Sequence, residues 1–210
     1  MIKRKRILIS ILVLFASLSS EARLPDSWFF QRFNMGVEWG YTQCLLRTWD
    51  YNIVSEEGYR IYDRDAEFMF HPNGSLLAHI GYELNDYFIL ALYGGYVGMG
   101  KGNRLLPLQL RLSWFLEELD EDGGFLYMQG GPAFHLHLQE TRMAWMLSTG
   151  IGLRQRLNTD CNLDLCFGLK YLNDHPLLPN PEGPGYVPSH LIRKNDAGYF
   201  ALEASLGFNF

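Results

Sequence analysis

Alternation is what most constrains this chain. In Phe200, Leu202, Ala204, Leu206, Phe208 and Phe210 every second residue is apolar, while Tyr199, Ala201, Glu203, Ser205, Gly207 and Asn209 stand between them. Side chains of a strand point alternately to its two faces, so such a segment has one apolar face and one small or polar face. The same period of two recurs along most of the chain, which excludes an amphipathic helical fold.

The amino terminus reads as an export signal. Lys3, Arg4, Lys5 and Arg6 precede an apolar run from Ile7 to Leu18, and Ser20-Glu21-Ala22 offers small residues where a signal peptidase cuts. The run is shorter than the roughly 20 residues of a membrane-spanning helix. Residues 1–22 are therefore expected to be a signal peptide and 23–210 a single mature domain. Removing these four cations and Glu21 from the 18 basic and 23 acidic side chains leaves a formal charge of −8. An acidic chain without a basic run argues against nucleic acid as a partner. Three cysteines make an odd number, so free thiols are expected rather than a disulfide framework. No His or Cys spacing matches a zinc site, and neither metal nor cofactor is expected.

Eight strands can be read. The first runs from Phe33 to Leu46, with Phe33, Met35, Val37, Trp39 and Tyr41 on its apolar side. The second covers Ser75 to Leu84 and ends at the turn signal Asn85-Asp86. The third, Tyr87 to Val97, is apolar on both faces and leaves its orientation open. In the fourth, Leu106, Leu108, Leu110, Leu112, Trp114 and Leu116 oppose Pro107, Gln109, Arg111 and Ser113. The fifth spans Phe125 to Leu138, the sixth Met143 to Gln155, the seventh begins after Asn158-Thr159-Asp160, and the eighth is the terminal segment.

The polar faces decide between a soluble sandwich and a membrane barrel. They are rich in Gly and Ser, with isolated charges: Glu38, Glu83, Asp164 and Glu203 against Arg111, Arg154 and Lys170. That pattern suits a narrow lumen filled by a polar network, with His79, His135 and His137 as further members. The long apolar faces suit a lipid-facing band, and a closed barrel satisfies every backbone group where water is absent. The expected fold is an all-β, eight-stranded antiparallel up-and-down transmembrane β-barrel. A hairpin over Tyr51 to Phe70 with arms reaching the membrane would raise the count to ten, but Asp63, Arg64, Asp65 and Glu67 would interrupt its lipid face. Extracellular connections are expected at 47–74, 98–105, 139–142 and 173–196.

On these features, with Gly81-Tyr82-Glu83-Leu84-Asn85-Asp86-Tyr87 as a strand-turn-strand and the terminal Phe210, the chain resembles the small outer-membrane β-barrels grouped with OmpX and the transmembrane part of OmpA. The resemblance implies the outer membrane of a Gram-negative bacterium, contact with its lipid and lipopolysaccharide, and insertion by the barrel-assembly machinery. In that last step the terminal strand, with Phe200, Leu202, Leu206, Phe208 and Phe210, is the element presented. Activity does not follow from the fold. Of two enzyme types on small barrels, the lipid A deacylases place His, Ser and Glu on the lipid-facing wall, and the outward rows here contain none. The palmitoyltransferase type holds an acyl chain in an apolar lumen, which Glu38, His79, Glu83, Arg111, His135, His137 and Glu203 would oppose. His135 with His137, and His79 with Glu83, are alternatives for a metal or proton-transfer site, against a hydrogen-bonded plug. Aromatics in 47–74 and five prolines in 173–196 point to binding loops or to self-packing. The reading is a non-enzymatic barrel, structural or presenting binding loops to an unknown ligand. A lipid-modifying enzyme and a narrow channel are its rivals.

Overall fold

In the computed structural model, residues 32–55, 57–136, 143–158, 161–180 and 184–210 are described. They form eight strands: β1 (Phe33–Val54), β2 (Arg60–Asn85), β3 (Phe88–Met99), β4 (Asn103–Phe115), β5 (Gly123–His135), β6 (Met143–Asn158), β7 (Cys161–Asp174) and β8 (Ile192–Asn209). Each strand pairs antiparallel with its sequence neighbours, and β8 pairs with β1 to close the ring. The expected segments 1–22, His137 and the connection 139–142 lie outside the described residues.

Most strands have one apolar face and one small or polar face; β3, apolar on both, sets Leu90, Leu92 and Tyr96 outward and Ile89, Ala91 and Tyr93 inward. Paired residues lead around the ring from Phe33 through Tyr82, Leu90, Leu112, Met128, Thr149, Leu169 and Leu202, and return to β1 at Gln43, ten residues beyond the start. Eight strands with that shear, at about 3.3 Å per residue and about 4.8 Å between strands, give a tilt of about 40° and a radius of about 8 Å. Such an interior is filled by side chains.

One end of the barrel carries Phe33 and Phe210, whose strands exchange backbone hydrogen bonds between Met35 and Phe210 at 3.1 and 2.8 Å. Its connections include the Asn85–Phe88 turn, where the Tyr87 amide donates to Asn85 Oδ1 at 2.9 Å. At the other end, Gly100 and Gly102 link β3 to β4 with φ of 61° and 87°, left-handed values that favour glycine. We call these the terminal end and the hairpin end.

The largest departure from the sequence reading is at the hairpin end. The expected loop 47–74 is strand: β1 continues to Val54, turns, and returns from Arg60 as β2. The strand count stays at eight because these arms prolong two barrel strands. β8 also starts earlier than expected, and Ile192–Asp196 flanks β1. A three-stranded sheet thus projects beyond the barrel. Its entry is marked by a bulge between Cys44 and Leu46, where Leu45 has no partner in the register. The bulge moves the inward set from even to odd residues, which turns Trp49 and Ile53 to the inner side.

Candidate functional site

Inside the barrel the isolated charges meet. Arg111 of β4 reaches Glu38 of β1 across the lumen, with Nη1 to Oε2 at 2.6 Å and Nη2 to Oε1 at 3.2 Å. Nη1 also donates to the Tyr93 hydroxyl at 2.9 Å, and Nε to Gln129 Oε1 at 2.7 Å. Gln129 in turn donates to Gln109 at 2.5 Å. The guanidinium lies between two rings, 4.0 Å from the Tyr93 centroid and 4.7 Å from that of Tyr127. A planar cation with five donors suits this position, since its edges bond while its faces stack.

Two further pairs join neighbouring strands. Arg154 holds Asp164 through two bonds of 2.8 Å, Asn209 donates to the same carboxylate at 2.9 Å, and Arg154 covers the Phe115 ring at 4.3 Å. Lys170 donates to Glu203 at 2.6 Å. Read along β7 from the terminal end, the charged levels are Asp164, Lys170 and then Asp174, which meets His135 Nε2 at 2.9 Å.

The other residues singled out from the sequence are not brought together. His79 stacks on Tyr93 with centroids 4.5 Å apart. Glu83 lies on the same face of the same strand, four residues nearer the terminal end, about 13 Å away at the rise of a strand, and enters none of the described ion pairs. Their common strand thus separates His79 and Glu83 lengthwise, and the two are not brought into contact. His135 stands at the hairpin end, remote from both. Among the described residues no group of three metal-ligating side chains converges.

The sequence reading missed an apolar layer. Between the Lys170–Glu203 level and the His135–Asp174 level the lumen is packed with Cys44, Val97, Leu105, Ala133, Ala144, Met146, Leu172 and Ala201, all buried. Leu105, Met146 and Leu172 alternate strictly with the outward rows of their own strands, so period two placed them inward. The expectation of a polar lumen obscured them. All three cysteines are free; Cys44 and Cys166 are buried inward, and Cys161 sits half-buried at the start of β7.

On the projecting sheet the aromatics divide by face. Trp49, Tyr51, Ile61 and Ile192 pack around Ile53, Leu178 and Val187, so Leu178 and Val187 of the connection between β7 and β8 lie against the inner face. Asn195 fixes this connection further by donating to the Pro176 carbonyl. Burial, and then the Asp63 carboxylate, push the Tyr51 phenol above its ordinary value. The Asp50 carboxylate, 2.8 Å from Lys194, holds that ammonium above the usual lysine range. On the outer face Tyr62, Phe68 and Phe70 are exposed, Phe68 by 88 %.

Outside the barrel, Leu106, Leu108, Leu110, Leu112 and Trp114 all point away from the lumen and are exposed, as are Leu147, Ile151, Leu165, Phe167 and Leu202. Aromatics bound this belt: Phe210, Trp114 and Tyr82 toward the terminal end, Phe200, Trp145 and Phe134 toward the hairpin end. Phe200 and Phe210 are ten residues apart on one strand, about 25 Å along the axis at this tilt, the height of a hydrocarbon band with its girdles. Hydrating such a surface costs free energy, whereas hydrocarbon matches it. This is a transmembrane β-barrel.

No family model and no curated protein matches the chain. Among solved structures it is similar to Neisserial surface protein A, at 12 % identity and a TM-score of 0.41, covering 82 % of this chain and 95 % of that one. It is also similar to the amino-terminal β-barrel domain of Pseudomonas aeruginosa OprF, at 15 % identity and a TM-score of 0.38, covering 82 % and 97 %. The outer membrane protease OmpT from Escherichia coli matches at 9 % identity and a TM-score of 0.41, covering 85 % and 96 %. The barrel itself is established by the strand pairing.

Proposed function

We propose that this transmembrane barrel is a non-enzymatic outer-membrane protein whose hairpin end stands outside the cell and offers a sheet edge to an extended segment of another protein. One observation carries the reading. From Arg60 to Gly74, β2 pairs with β1 along one edge, and no described strand pairs with its other edge until Ser75 meets Val97. A free edge of this length presents backbone donors and acceptors in register for an added strand. Asp63, Asp65 and Glu67 share one face of that edge, and Arg47 neutralises part of it, at 3.8 Å from Asp65 and 2.9 Å from Glu67. Such charges deter a second identical edge and favour an incoming strand with basic side chains on the matching face.

The rest of the molecule supports a scaffold. Its lumen is filled by ion pairs and an apolar layer, so an ion crossing it would have to break buried pairs costing about 3–5 kcal/mol each. The lipid-facing rows carry no His, Ser or Glu among the described residues, which leaves a lipid-modifying reaction on that wall without its groups. The export signal expected in residues 1–22 and the height of the belt support the outer membrane.

The test is binding of synthetic peptides alternating Val with Lys, and Val with Glu as control, to the full chain reconstituted in bilayers. A second barrel with Thr48–Phe70 replaced by a short turn is compared. The Lys peptide should bind the full chain and not the trimmed one, whose folding is confirmed by its electrophoretic mobility without heating. Equal binding of both peptides, or equal binding to both barrels, would remove the edge as the site.

A further inference from the structure

The lipid-facing belt is not level. Tyr171 of β7 pairs with Phe200 of β8, Phe200 with Leu46 of β1, and Leu46 with Phe68 of β2. Residues directly opposite in antiparallel strands share a face, so these four form one outward row across four strands. The Tyr171 and Phe200 rings are in contact, with centroids 4.7 Å apart. Phe70, two residues along from Phe68 with the buried Met69 between them, lies on the same face and is 78 % exposed. Phe68 and Phe70 thus continue the upper girdle past the bulge and onto the base of the projecting sheet. On β4, separated from β2 by β3 alone, the outward row stops at Leu106 and gives way to exposed Arg104 beside the Gly100–Gly102 turn.

Charge marks where the apolar surface ends on the sheet side. Beyond the aromatic row comes a row of small residues, Gly198, Thr48 and Ala66, which are mutually paired. Beyond that lie Asp196, Asp50 and Arg64, again paired in register, and then Lys194, Asn52 and Tyr62. An apolar row topped by charges of both signs, Arg64 and Lys194 among them, is the order of groups met on leaving a bilayer through its headgroups.

From this continuity with the belt we infer that the outer face of the sheet's base is a lipid contact: Phe68 and Phe70 enter the boundary between acyl chains and headgroups, and the sheet rises from the membrane surface on that side. This rests on the transmembrane reading. The edge proposed for docking then begins above Ala66, close to the lipid headgroups.

Nitroxide labels separate the possibilities. Phe68→Cys, Phe70→Cys, Leu202→Cys and Tyr62→Cys are each made in a Cys161→Ser chain, where the remaining thiols, Cys44 and Cys166, are buried. After reconstitution in phospholipid bilayers, collision with oxygen is compared with collision with a water-soluble nickel chelate. Labels at 68 and 70 should favour oxygen, as the label at 202 within the belt does, at least threefold more than the label at 62. Labels at 68 and 70 as open to nickel as that at 62, with 202 protected, would overturn the proposal and leave the membrane assignment standing. A label at 202 open to nickel would overturn both.

Discussion

Glu38→Gln isolates the contact that spans the lumen. Glu38 and Arg111 are 3 % and 4 % exposed, and the carboxylate accepts two bonds from the guanidinium. Glutamine keeps one acceptor of nearly the same shape, removes the charge, and sets an amide donor against a guanidinium donor. A lost charge-assisted bond costs about 1.5–3 kcal/mol. Removing one partner of a buried pair outright costs about 3–5 kcal/mol. Arg111 retains Tyr93, Gln129 and two aromatic faces, which together soften the loss, so the expected destabilisation is about 3 kcal/mol. Urea unfolding in bilayers, followed by tryptophan emission and by mobility on unheated gels, would measure it. The partner variant Arg111→Met and the double variant complete a cycle in which the coupling should exceed about 1.5 kcal/mol. A single variant within about 0.5 kcal/mol of the parent, or a coupling that small, would refute the view that this pair holds the lumen closed.

Other consequences can be checked separately. Gly152 faces the Phe125 ring so closely that an added Cβ would collide with it; Gly152→Val should cost about 1–3 kcal/mol or block refolding, read by the same unfolding curves. The folded protein should react with a bulky thiol reagent once per chain, at Cys161, and three times after unfolding, because Cys44 and Cys166 are buried. Ile53 is 3 % exposed in the outer cluster. Ile53→Ala removes about 2–5 kcal/mol of local packing and should speed proteolysis within 175–191 while leaving barrel unfolding unchanged.

What could be read in the chain was whatever repeats every two residues. The row from Leu106 to Trp114 could face outward only together, and Arg111 inward with Gln109 and Ser113, because the pleat allows no other arrangement. Phe200 to Phe210 and Glu203 followed by the same rule. Matching charges across the lumen was also within reach, since a narrow interior cannot leave Arg111, Arg154 or Lys170 unpaired. Which carboxylate each would choose was not: Arg154 with Asp164 and Lys170 with Glu203 follow from adjacent strands in register, while Arg111 with Glu38 needs the ring to close with its particular shear.

Tertiary structure decided the features that break or hide the period. The bulge at Leu45 reverses the faces of β1, so Trp49 and Ile53 turn inward although the alternation before it would send them out. The acidic residues 63–67 read as a loop because charges are unwelcome against lipid, yet beyond the membrane they cost nothing on a strand. Period two placed Leu105, Met146 and Leu172 inward, but only the closed ring brings them into one layer that seals the lumen. Period determines which side chains share a face; only closure of the sheet determines what that face meets.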